Sequence, residues 1–251
     1  MRLLSLLLLV ALAVTGCTAA PSPAPQVSLV LIASAPSSLL VADARAVATD
    51  LGATLDVVDT VDVQGAVDAA LLESPDVIIG VGDEVLDVVD PAAASTLAQP
   101  FLLLGTEALE PTENLTASVF RDYEGYYLAG VAAGVAGDAA VTAPPASPLV
   151  DSSVSRFADG LHSVAPSLDP VVTVGDDLDF GCRITTDFTV GLREPLERIL
   201  AGDAGGVYSY GVADKAVAID GCPGSDSPEV QAAAAALSSG ELEVTDPLFF
   251  E

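Results

Sequence analysis

Basic residues are nearly missing from this sequence. One lysine (Lys215) and seven arginines stand against 36 acidic residues, for a net charge of −28. Nucleic acids and anionic membrane surfaces demand a basic partner, so the folded chain is expected to bind neither. Acidity of this kind serves solubility outside the cell or in salt. Histidine is scarcer still: His162 stands alone, in the helix-like run Phe157 to Val164. With a single imidazole and no Gly-x-Ser-x-Gly turn, a hydrolase triad lacks both base and nucleophile. His162 reads as a helix-surface or helix-end residue. The acidic loop around Asp176, Asp177 and Asp179 has neither the glycine nor the distant bidentate glutamate of a calcium loop. Gly80-Val81-Gly82 follows a strand and opens a helix, but Val85 stands where a dinucleotide loop has its third glycine. A tight turn remains, whose amides at Gly82, with Asp83 and Glu84, can face a ligand, or whose Asp83 can cap the helix. No catalytic group, metal or cofactor is expected.

What is present begins at the N-terminus. Arg2 supplies a positive start, Leu3 to Val14 an apolar run too short to span a bilayer, and Val14-Thr15-Gly16-Cys17 the small residues before a cysteine that a lipoprotein signal peptidase requires. Residues 1–16 are therefore read as a signal peptide and Cys17 as the lipidated first residue of the mature chain. Residues 17–26, with prolines at Pro21, Pro23 and Pro25, follow as a tether. Cys182 and Cys222 remain, both in Gly-flanked loop sequence of an exported chain. A disulfide between them is expected, since two cysteines alone make a poor metal site.

The body of the chain alternates short apolar runs with amphipathic segments. Val27 to Ile32, Thr54 to Val58, Val77 to Ile79, Phe101 to Leu104 and Ala117 to Phe120 read as strands. Ser37 to Leu51, Val63 to Leu72 and Asp83 to Leu97 read as helices, the last interrupted near Pro91. That is the pattern of an α/β fold with a parallel sheet covered on both faces. Ligands of such sheets bind where loops leave the carboxyl ends of strands, which nominates residues 33–38 with Ser34 and Ser37, 80–84 with Gly82 and Asp83, and 105–108. A second, weaker series follows: strands at Ala139 to Thr142 and Val171 to Val174, and helices at Val150 to Val164, Thr189 to Ala201 and Glu229 to Leu237. Further strands are read at Gly206 to Tyr210 and Ala216 to Ile219, with an extended ending at Gly240 to Val244. Two α/β lobes are expected: residues 27–121 with 187–251, and a reduced second lobe of 122–186. Between them Arg121, Asp122 and Glu124 open a Gly- and Ala-rich helix. Their charges can line the interlobe cleft, or Asp122 can cap the helix while Glu124 pairs with Arg121.

Phe120-Arg121-Asp122-Tyr123-Glu124-Gly125-Tyr126-Tyr127-Leu128-Ala129-Gly130 resembles the Phe-Arg-x-x-Glu-Gly-x-Tyr-Leu-Ala-Gly block of the basic membrane protein family, the lipoprotein solute receptors of ABC importers. Ile184 to Ile219 and Ser239 to Val244 are similar to that family's returning helix, closing strands and ending. The resemblance implies a type I periplasmic-binding-protein fold, an importer permease as partner and, as in characterised members, a purine nucleoside between the lobes. It also implies that the turn carrying Asp214 and Lys215 approaches the ligand. Two features depart from the family: Ser34-Ala35-Pro36-Ser37-Ser38 replaces its Asp-x-Ser-Phe-Asn loop, and the second lobe is short. The expectation is a non-enzymatic, lipid-anchored extracytoplasmic protein for a small polar solute. The alternative is a diverged surface lipoprotein that keeps the scaffold as an interaction module.

Overall fold

The computed structural model describes residues 26–105 and 112–245. The expected signal peptide, Cys17, the tether as far as Pro25, loop residues 106–108 and the Asp83 side chain lie outside what is described.

Continuous apolar runs become the strands at the centre of the sheet, buried on both faces, while the two edge strands stay partly exposed. Strands β1 (Ser28–Ala33), β2 (Thr54–Asp59), β3 (Val77–Val81), β4 (Phe101–Leu104), β5 (Leu115–Phe120) and a late strand, Gly206–Tyr210, form one parallel sheet. Helices α1 (Ser38–Asp50), α2 (Val63–Glu73) and α3 (Asp83–Ser95) connect the first four strands. Leu29, Leu31, Ile79, Leu102 and Leu104 pack on one face with Val47 of α1; Val30, Ile32, Ile78, Phe101 and Leu103 pack on the other with Val67 of α2 and Val89 of α3. The strand order 2-1-3-4-5, then the late strand, reverses direction between β1 and β3, and the crevice outside the carboxyl ends at such a reversal is where ligands of open sheets sit. The expected α/β sheet is thus observed.

Pro91 does not interrupt α3, which runs unbroken from Asp83 to Ser95. Val85, Val89 and Ala93 form a fully buried stripe on both sides of the proline. Pro91 itself is exposed, so water can satisfy the carbonyl that loses its amide partner. The N-cap of α3 is Gly82, at φ +91°, rather than Asp83, which is the first helical residue.

After β5 the chain enters a second group: α4 (Asp122–Ala136), β6 (Ala140–Ala143), α5 (Pro148–Val164), β7 (Val171–Val174) and β8 (Arg183–Thr186). It then returns through α6 (Phe188–Leu200) to the late strand, now β9, and leaves again as β10 (Val217–Asp220) and α7 (Pro228–Ser239). Strand β8 was not foreseen; it pairs antiparallel with β10. β10 and α7, assigned above with residues 187–251 to the first lobe, pack on α4 instead. Residues 240–244 form no strand. The Cys182–Cys222 disulfide is present, with Cα atoms 4.5 Å apart. It joins the residue before β8 to the loop just after β10, and Cys222 is buried against Val131, Ala132 and Val230.

The tightest packing in this group is between α4 and α5. A Cβ at Gly130 would lie 1.9 Å from the Phe157 carbonyl oxygen, and one at Gly160 would lie 1.9 Å from that of Tyr127. The two helices therefore touch backbone to backbone, as small residues permit. Among the described residues no helix is long and apolar enough to cross a membrane.

Candidate functional site

At the end of β1 the chain must leave the sheet sharply. Ala35 takes a left-handed φ of +49°, its amide donates to Asp59 Oδ1 at 2.9 Å, and Ser37 Oγ accepts from the Leu40 amide at 3.1 Å as the N-cap of α1. Ser37 is therefore occupied with its own helix. Ser34 is half-buried beside it. Gly82 serves the turn into α3 and donates weakly to the Leu104 carbonyl at 3.4 Å.

Arg121, Glu124 and Asp214 are brought together around a turn. Arg121 Nε lies 3.2 Å from Glu124 Oε1 and Nη2 lies 3.4 Å from Asp214 Oδ2. The Arg121 Nε–H is not aligned with a hydrogen-bond acceptor, so its pairing with Glu124 is electrostatic. The same carboxylates hold the turn after β9: Glu124 Oε2 accepts from the Val212 amide at 2.7 Å and Asp214 Oδ2 from the Gly211 amide at 2.9 Å. A Cβ at Gly211 would fall 2.3 Å from Glu124 Oε2 and 2.5 Å from Arg121 Nε, so a larger residue there would push these side chains out of the knot. Of the two roles expected for these charges, the geometry has the pairing one. Asp122 does not cap α4, whose N-cap is Arg121 without a side-chain bond. It accepts from Thr186 Oγ1 at 3.3 Å, and burial raises its carboxyl above the ordinary range against the opposing effect of that bond.

Lys215 takes a left-handed φ of +61° in the same turn. It lines a cleft of about 300 Å³ between the first turns of α1 (Leu39, Asp43) and the junction of β8, β10 and α6 (Thr185, Thr186, Asp187, Thr189, Ala216, Ala218). Lys215 forms no ion pair with any described residue. Asp187 caps α6 by accepting from the Thr189 amide at 2.9 Å. The Asp43 carboxyl is held above its ordinary range, first by burial and then by the charge of Asp187, while the Phe188 amide acts in the opposite direction. The lining thus offers two carboxylates, one ammonium and three threonine hydroxyls, with no aromatic ring.

Of the predicted ligand residues, this cleft contains Lys215. Ser34, Ser37, Gly82, Arg121 and Asp214 are not among its lining residues. Asp43, Thr185, Thr186, Asp187 and Thr189 were missed. Only Asp187 carried a sequence signal, an acidic residue between a β-branched run and a helical one.

The family model described as ABC transporter substrate-binding protein PnrA-like matches residues 62–178. This bears out the resemblance carried by Phe120 to Gly130. Among solved structures, an ABC transporter solute-binding protein from Conexibacter woesei DSM 14684 superposes with a TM-score of 0.72 at 17% identity, over 90% of this chain and 100% of that one. One from Aeropyrum pernix K1 gives 0.67 at 15%, over 89% and 94%. A transcriptional activator of the comK gene from Bacillus halodurans gives 0.66 at 12%, over 88% and 99%. At these identities the likenesses establish the fold. No curated protein sequence matches the chain.

Proposed function

Because residues 62–178 carry the PnrA-like substrate-binding match, we propose that the chain is the solute-binding component of an ABC importer. That match is the observation on which the reading rests. The sheet with α1, α2, α3, α6 and β9 forms one lobe, and the elements packed on α4 form the other. The solute is small and polar, and it enters the cleft between Asp43, Asp187 and Lys215, where hydroxyl and amine groups find acceptors and a carbonyl or anionic group finds the lysine. Hinge closure is driven by the contacts the solute adds in the closed state. Cleavage before Cys17 and lipidation of its thiol anchor the mature domain on the outer side of the cell membrane.

A purine nucleoside is the solute that the family resemblance suggests. A thermal-shift screen of nucleosides against the mature chain tests it: stabilisation that saturates with one ligand supports it, and no shift at millimolar purine nucleoside rules that class out. One observation favours the second reading, a scaffold kept as an interaction module. Ser37, Arg121 and Asp214 are each engaged by backbone amides or by one another, which leaves few of the expected ligand groups available.

A further inference from the structure

The second group ends in an open edge. Strand β7 bonds to β6 through the Val171 and Gly175 amides, each 2.8 Å from the Ala139 and Ala143 carbonyls. Alternation along a strand then turns the amides and carbonyls of Val172 and Val174 to the opposite edge. There no strand pairs with β7 among the described residues. Val171, Val172 and Val174 are 62, 50 and 85% exposed. The edge is only four residues long, but its unpaired amides and carbonyls and exposed valines remain a template for pairing. Beside it, between β7 and α5, lies an apolar groove of about 410 Å³ lined by Val150, Val154, Ala158, Val172, Val174 and Pro144.

Charge decides what fits. Strands β6 and β7 and residues 144–150 carry no charged side chain, but Asp151 lines the groove, Asp169, 3.1 Å from His162 Nε2, flanks one end of β7, and Asp176 and Asp177 flank the other, all four carboxylates belonging to exposed residues. A second copy paired antiparallel through β7 would bring its Asp169 against Asp176 and Asp177, like charges at both ends of the ladder. A segment with basic residues at both ends meets attraction at both.

We propose that the open edge of β7 and its groove form a docking site for an extended partner segment, apolar at alternate positions and flanked by basic residues, which adds as a strand beyond β7. The ladder bonds of Val172 and Val174 give affinity, and the groove takes the alternate side chains.

The test is fluorescence anisotropy of a labelled Lys-Lys-Val-Thr-Val-Thr-Val-Lys-Lys peptide with the full chain, together with amide hydrogen exchange. Binding should slow exchange at Val172 and Val174 specifically. A scrambled peptide of the same composition should bind at least about tenfold more weakly. Val172→Pro removes an amide that faces the open edge without touching the bonds to β6, and Ala158→Leu fills the groove; each should weaken binding at least about tenfold, with the far-UV spectrum unchanged. Equal binding of the scrambled peptide would mean general attraction to an acidic protein and would overturn the proposal. So would unchanged exchange at Val172 and Val174, or binding that survives both variants. A dimer in sedimentation that Val172→Pro abolishes would assign the edge to a second copy instead.

Discussion

Replacing Gly130 by alanine separates two arguments that give opposite signs. From the sequence alone, glycine inside a helix is unfavourable, and alanine should stabilise α4 by about 1 kcal/mol. From the structure, the new methyl group would lie 1.9 Å from the Phe157 carbonyl oxygen and 2.8 Å from the Leu161 amide nitrogen, where contacts under 3.0 Å are not tolerated. Both obstacles are backbone, so no side-chain rotation relieves them, and α5 must recede by about 1 Å. That opens a seam beside Phe157, Leu161, Ala129 and Ala133, and a gap of this width forfeits roughly a quarter to a half of each affected contact. Overpacking of a core typically costs about 1–3 kcal/mol, and a backbone clash belongs at or above the top of that range. The net expectation is a loss of about 2–4 kcal/mol, or a Tm lower by about 4–16 °C for a domain of this size. Urea unfolding followed by circular dichroism measures it. Gly134→Ala, whose methyl group would meet chiefly the Val164 side chain at 2.5 Å, should cost less. A Gly130→Ala protein as stable as the parent, or more stable, would refute the backbone contact between α4 and α5.

Glu124→Ala should destabilise by roughly 2–3 kcal/mol, because it strands the Val212 amide and the partly buried Arg121 guanidinium. A double-mutant cycle with Arg121→Ala should give non-additive losses, and additivity would break the pair. Asp122 has a pH signature. Its folded carboxyl titrates above the unfolded value, so the folded state binds more protons in that window and stability falls as pH rises through it. Asp122→Asn should therefore gain on the parent chain as pH is raised from below the ordinary carboxylate range towards neutrality, and a pH-independent difference would contradict the burial. Reducing Cys182–Cys222, with a sequence separation of 40, releases a loop whose closure stabilises by about 4 kcal/mol in the chain-entropy model. A thermal scan with and without reductant should show a large drop, and coincident scans would refute a stabilising role. Once a solute is found, Lys215→Ala should weaken its binding at least about tenfold while leaving Tm of the free protein unchanged. Equal affinity would move the site elsewhere.

The strands β1, β3 and β4 were readable because burial on both faces leaves an unbroken apolar run, a signal that does not depend on a distant partner. Strand β8 depends on one. Arg-Ile-Thr-Thr is short and half polar, and it is a strand only because β10, some thirty residues later, pairs with it. The same dependence explains α7, whose alanine-rich face gave no hint that it would settle on α4 rather than return to the main sheet. Pro91 misled for the opposite reason: a strong local rule was overridden by Val85, Val89 and Ala93, which hold both halves of α3 on the sheet.

The same division runs through the site. Lys215 stood out as the sole lysine in a turn, a feature complete within a few residues. Asp43 did not, since nothing on an amphipathic helix marks one exposed-face acid as the one that will meet Thr186 and Asp187 across a cleft built from segments over a hundred residues apart. The charged block at Arg121 to Glu124 was conspicuous, yet its use depended on the amides of Gly211 and Val212, and backbone donors leave no trace in a sequence. Charged residues that punctuate an apolar chain therefore locate where backbone has to be satisfied as readily as where ligand is bound. The two are told apart by what else the carboxylate meets: Glu124 sits between the Val212 amide and the Arg121 guanidinium, whereas Asp43, with the Phe188 amide as its backbone donor, lines a cleft beside the like charge of Asp187.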